Sequence, residues 1–184
     1  VIEHFEGCTP RFLNPEILLP ESTFVLADIK MRENTFLEWS TTNETGILDY
    51  DIEQFKWNHW VSVGQVRGKG GVTKNKYSFK VPLHSGINKF RVTQTDNSGE
   101  KRVSTEVTQE SSIKEFSMTP TSVRDDIFFY SGGKKKKTRY EVFDAFGNLL
   151  KVGFADHVDC RNIVNGIYYM NYDNKNEKFL KASE

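Results

Sequence analysis

The residues most able to do chemistry in this chain are four histidines, two cysteines, a glycine-lysine stretch and scattered carboxylates. His4, His59, His84 and His157 lie far apart, and no HExxH or other ligand spacing joins them. That pattern gives no metal site. Cys8 and Cys160 form no CxxC, which removes zinc-ribbon and dithiol redox chemistry. A disulfide between Cys8 and Cys160 in an oxidising compartment and two buried thiols are both open readings. His157 is the one histidine near a cysteine, Cys160, but both flank one short strand and suit turn chemistry better than a nucleophile and its base. "GQVRGKGG" lacks the hydroxyl residue after its lysine and precedes no helix, so it does not cradle a nucleotide phosphate. No Gly-x-Ser-x-Gly elbow occurs. The expectation is a non-enzymatic protein with no catalytic residue, no metal and no cofactor.

Two charged features remain. Asp49, Asp51, Glu53, Asp125, Asp126 and Glu141 fall on strand-like segments, where they are expected to alternate outward into solvent. "GGKKKKTR" concentrates Lys134, Lys135, Lys136 and Lys137. Such a run is either a solvated loop tip that discourages edge pairing or a contact for an anionic partner such as lipopolysaccharide. The solvated loop is the favoured reading.

The elements that must hold these residues are strands. The chain has 25 basic and 25 acidic side chains, so no net field steers it to nucleic acid or membrane. No apolar run reaches the length of a transmembrane helix. The sequence begins at Val1 without a signal-peptide pattern, which reads as a processed product or a piece of something longer. Pro10, Pro15 and Pro20 mark residues 1–22 as an extended arm. From residue 23 the pattern has period two. In "LDYDIE", Leu48, Tyr50 and Ile52 share one face and the acids the other. Seven strands are expected near 23–31, 34–40, 48–56, 59–66, 75–82, 87–95 and 100–108, separated by turn signals such as "TDNSGE". This is a β-sandwich pattern, with Trp39 at its centre. A polar hinge at 109–114 leads to a smaller all-β unit over 115–184, with strands near 113–118, 126–131, 137–145, 148–154, 166–172 and 176–181. In the hairpin "YEVFDAFGNLLKVG", Leu150, Val152 and Phe154 face one way and Lys151 the other, as a half-buried strand requires.

The segment 34–104 resembles the fibronectin type III-like modules of surface proteins in Bacteroidetes bacteria. The resemblance is carried by Leu37, Trp39, Thr41, Gly64, Val66, Gly68, Gly70, Tyr77, Phe90, Arg91, Gln94, Asp96 and Gly99. It implies a seven-stranded fibronectin/immunoglobulin-like sandwich over 23–108. These residues build strands and turns and carry no chemistry of their own.

"TPTSVRDDIFF", "YEVFDAFGNLLKVG", "NIVNGIYYMNY" and "NEKFLK", in that order, are similar to the C-terminal sorting domain of type IX secretion. The matching residues are Pro120, Asp144, Gly147, Gly166, Ile167, Tyr168, Lys178, Phe179, Leu180 and Lys181. Met118 and Thr119 stand where the family has Pro and Asn, and Asn148 replaces a common basic residue. The resemblance implies a second β-sandwich that acts as an address. It implies outer-membrane components of type IX secretion, a translocon or shuttle protein, as partners. It places the protein at the cell surface, associated with the outer membrane or secreted, after passage through the periplasm. The expectation is an exported adhesion or structural protein, or the C-terminal piece of larger cargo. The alternative is a small accessory component of the secretion or attachment machinery that keeps this domain for docking.

Overall fold

In a computed structural model, residues 24–44 and 46–182 are described, together with the backbone of 2–3 and 11–12. Every regular element among them is a strand. In chain order these are β1 (Ile2–Glu3), β2 (Arg11–Phe12), β3 (Val25–Arg32), β4 (Phe36–Thr42), β5 (Tyr50–Lys56), β6 (His59–Val66), β7 (Asn75–Lys80), β8 (Gly86–Thr95), β9 (Lys101–Val103) and β10 (Val107–Ser111). There follow β11 (Phe116–Thr119), β12 (Ser122–Val123), β13 (Asp126–Ser131), β14 (Lys134–Lys135), β15 (Thr138–Asp144), β16 (Leu149–Ala155), β17 (His157–Asp159), β18 (Gly166–Tyr172) and β19 (Lys175–Lys181). No helix is long and apolar enough to cross a membrane.

The alternating segments form the first sandwich. Sheet β3-β4-β7 packs against a sheet of order β10-β8-β5-β6, with β9 also paired to β8. Leu37, Trp39, Tyr50, Ile52, Phe90 and Val92 fill the space between the sheets. Trp39 is 2% exposed. Its ring stacks on Tyr77 at 5.2 Å and meets the Tyr50 ring edge-on at 5.8 Å, both favourable aromatic geometries. The expected central tryptophan is therefore the observed one.

The second sandwich pairs β11-β13-β14, with β17 on β13, against β12-β19-β18-β15-β16. Every pairing is antiparallel except β12 with β19. Ile127, Phe129, Val142, Met170, Tyr172 and Phe179 form its core, separate from the first.

Four expectations need correction. The hinge at 109–114 starts too early, because Gln109, Glu110 and Ser111 pair with Asn88, Ile87 and Gly86. Backbone pairing makes this polar stretch a strand where its side chains show no alternation. The lysine run is not a loop tip throughout: Lys134 and Lys135 fold back onto Ser131 and Tyr130. Gly132 and Gly133 make the two-residue turn, with φ of 60° and 76°, the left-handed pair that a tight hairpin requires. Glu53 is not a solvated acid. It is buried, with Arg91 Nε at 2.6 Å and Lys101 Nζ at 2.5 Å. Finally, Leu150, Val152 and Phe154 face solvent. Val152 lies opposite Glu141 and Phe154 opposite Arg139, while inward-facing Tyr140 and Val142 oppose Gly153 and Lys151. A Cβ on Gly153 would sit 2.8 Å from Tyr140 Cζ, so the Tyr140 ring occupies the inner side of β16.

Candidate functional site: one end of the second sandwich

The matched sorting-signal residues are far apart in sequence, and the sheet β12-β19-β18-β15-β16 gathers them. Ser122 and Val123, just after Pro120, run beside Leu180 and Lys181. Gly166, Ile167 and Tyr168 pair with Lys181, Leu180 and Phe179. On its other side Tyr168 pairs with Asp144. The elements read from Pro120 to Lys181 thus meet at one end of one sheet.

Their roles divide by face. Tyr168 and Phe179 point inward, buried and stacked at 5.5 Å between ring centres. Tyr168 Oη also donates to the Val164 carbonyl at 2.8 Å. Ile167 and Leu180 point outward and, with Thr121, Lys178 and Phe179, line a shallow hollow of about 330 Å³. The Lys181 ammonium donates to the Arg124 carbonyl, tying the last strand to the segment after β12.

Asp144 builds the turn at this end. Its carboxylate accepts from the Phe146 and Asn148 backbone N–H groups, both at 2.9 Å, and from Asn148 Nδ2 at 2.8 Å. Hydrogen bonds from Asn148, its side chain first, hold the Asp144 carboxyl below its ordinary value. Gly147 has φ of 86°, which a residue with a Cβ adopts only with strain. Asn148 is thus an acceptor's partner in the turn, a job the common basic residue would do differently. The turn displays Phe146, 91% exposed.

The outer face is the signal that sequence reasoning missed. Cross-strand neighbours share a face. Phe143 opposes Leu149 and Tyr169, and Ile167 opposes Leu180. These make an apolar strip across the sheet end, which Val152 and Phe154 extend only along the β16 edge, opposite Glu141 and Arg139; Leu149, Val152, Phe154, Ile167, Tyr169 and Leu180 are exposed. The strip ends on β16, whose far edge pairs with no strand among the described residues. Large exposed apolar patches of this kind mark interaction surfaces.

The remaining candidates are dispersed. Lys135 Nζ sits 3.6 Å from the centre of the Phe128 ring and Lys136 Nζ 5.8 Å from that of Phe116. Lys134 and Lys137 are exposed. Cys160 is a buried free thiol, its pKa pushed up to about 11 by burial. Cys8 lies outside the described residues, as do His4 and the arm's prolines. His84 is buried, with Nδ1 2.7 Å from the Ser85 carbonyl. Among the described residues no group of three His, Cys, Asp or Glu side chains could hold a metal.

No family model matches the chain, and no curated protein does. Among solved structures, it is similar to a tetra-tandem repeat in the extending region of a large adhesion protein, at 12% identity and a TM-score of 0.34. That match covers 84% of this chain and 48% of the other, so the chain spans about half of that structure. The fibronectin(III)-like modules of Clostridium thermocellum CbhA match at 12% identity and a TM-score of 0.29, covering 86% of this chain and 94% of theirs. The BSP domain of a biofilm-associated protein matches at 16% identity and a TM-score of 0.28, covering 86% and 29%.

Proposed function

We propose that the chain is a non-enzymatic cell-surface module of adhesive or structural type, and that its second sandwich is a type IX sorting domain. The observation that carries the reading is the convergence described above. Segments resembling a sorting signal, spread from Pro120 to Lys181, align across one sheet end beside an exposed apolar strip. A label read by a protein partner must present features outside its core. Ile167, Leu180, Lys178 and Phe146 are presented, while Tyr168 and Phe179 hold the strands that present them.

The test joins the whole chain to the C-terminus of a fluorescent protein carrying an ordinary export signal, in a type IX-competent cell. Surface display of the passenger is expected. Replacing Ile167 and Leu180 together by Thr leaves the inner face untouched and keeps a residue suited to strands, so the purified fusion keeps its melting temperature but stays in the periplasm. Surface delivery of the doubly substituted fusion, or failure of the parent fusion to leave the periplasm, would sink the reading.

A further inference from the structure

The two sandwiches meet around a second cleft, of about 480 Å³, within the size range of small-molecule sites. Its walls come from both units. Lys56, Val61, Val63 and His84 belong to the first, and Lys136, Lys137, Arg139 and Phe154 to the second. Four of these lining residues are cations. The one acid on the wall, Asp173, is already engaged by the Ser85 backbone N–H and hydroxyl.

Lys56 is the anomaly. It is 9% exposed, and a lysine is seldom so buried without a carboxylate partner. Among the described residues it forms no ion pair. Its ammonium lies 4.1 Å from the centre of the Trp57 ring. Burial and then the charge of Arg139 push its pKa below 10.5, with Glu141 and Asp173 acting in the opposite sense. Glu141 itself accepts from Asn171 Nδ2 at 3.3 Å. Two like charges from two units therefore face one cleft without a dedicated counter-charge. His84, on the same wall, adds a buried Nε2 with no hydrogen-bond partner among the described residues. Buried polar groups of this kind call for an explanation. Beside the cations the wall carries the apolar side chains of Val61, Val63, Leu83 and Phe154.

We propose that this cleft binds a small amphipathic anion, with a phosphate or carboxylate head between Lys56 and Arg139 and an apolar tail along Val61, Val63 and Phe154. The head would replace repulsion between the units by a shared counter-charge. The anion-binding reading stands without export, although Phe154 also belongs to the exposed strip and Arg139 to the unit proposed as the sorting domain.

The test is calorimetric titration of the whole protein with hexyl phosphate, hexanoate, inorganic phosphate and hexanol. Hexyl phosphate or hexanoate is expected to bind, with inorganic phosphate and hexanol each weaker by about tenfold or more, because each lacks one half of the recognition. Lys56→Met and Arg139→Gln are each expected to weaken binding by about tenfold, the worth of one charge-assisted contact. Lys56→Met should melt no lower than the parent, because it removes an uncompensated buried charge. Arg139→Gln, at the exposed rim, keeps the test valid if the first variant folds poorly. No binding of either amphipathic anion overturns the proposal. So does binding that hexanol equals, or binding unchanged in both variants.

Discussion

Glu44 holds the first sandwich's loops from within a turn. Its buried carboxylate accepts from the Thr41 hydroxyl, from Tyr77 Oη at 2.7 and 2.9 Å, and from the Gly70 N–H at 2.7 Å. Burial pushes its pKa up, and these hydrogen bonds outweigh it, leaving the pKa below 4.5. The sign follows directly. As pH falls below about 4.5 the unfolded chain binds this proton before the folded one does, so the contribution is full above that value and lost beneath it. Glu44→Gln puts an amide N–H where donors already point. It is expected to lower stability at neutral pH by about 1–3 kcal/mol, the penalty for a buried polar mismatch. It should also flatten the acid limb of a urea-midpoint against pH curve. A variant with an unchanged limb would show that other carboxylates dominate acid unfolding. Only Thr41 lies within "TTNETG", which reads as a turn; the rest was not legible there, because Glu44's partners Gly70 and Tyr77 lie 26 and 33 residues away.

At the scale of elements, the glycines of the β6 hairpin separate two kinds of crowding. A Cβ on Gly64 would lie 2.2 Å from Phe79 Cζ, the far end of a side chain that can turn. A Cβ on Gly68 would lie 2.3 Å from the Leu48 backbone carbonyl, which cannot turn aside as a ring can. Gly68→Ala is therefore expected to cost about 1–3 kcal/mol, as overpacking does, and Gly64→Ala less. Urea midpoints for the two variants check the order, and the reverse order would place the rigid wall at Phe79. The long strands were legible because alternation over six or more residues has one meaning. β12, β14 and β17, of two, two and three residues, are too short to carry a period. Alternation also leaves open which face meets the core. That is why Leu150, Val152 and Phe154 read as a packed face. Tyr140 covers Gly153 instead, and the strip turns outward.

The whole molecule depends on contacts that no local pattern announces. Ser85 donates its N–H to Asp173 Oδ1 at 2.9 Å and its hydroxyl to Oδ2, across 88 residues of sequence. The Trp57 N–H reaches Asn174 Oδ1 at 3.4 Å. The resemblances could mark two sandwiches but not this joint, since each describes one unit. Asp173 is buried with φ of 46°, a conformation that asparagine also tolerates. Asp173→Asn therefore keeps the turn and removes the charge that both Ser85 donors address. All three tryptophans, Trp39, Trp57 and Trp60, come from the first sandwich, with Trp57 at the joint, so their fluorescence follows that unit and the joint, while far-UV circular dichroism follows both units. In the parent the two probes are expected to report one urea transition, because the buried Ser85–Asp173 contact couples the units. In Asp173→Asn they should separate, since hydrogen bonds to a charged group are worth about 1.5–3 kcal/mol and this one spans the joint. Probes that stay coincident in the variant would show that the units are coupled by something other than Asp173, with the Trp57–Asn174 hydrogen bond and the apolar walls around Leu83 and Ile113 as the remaining contacts.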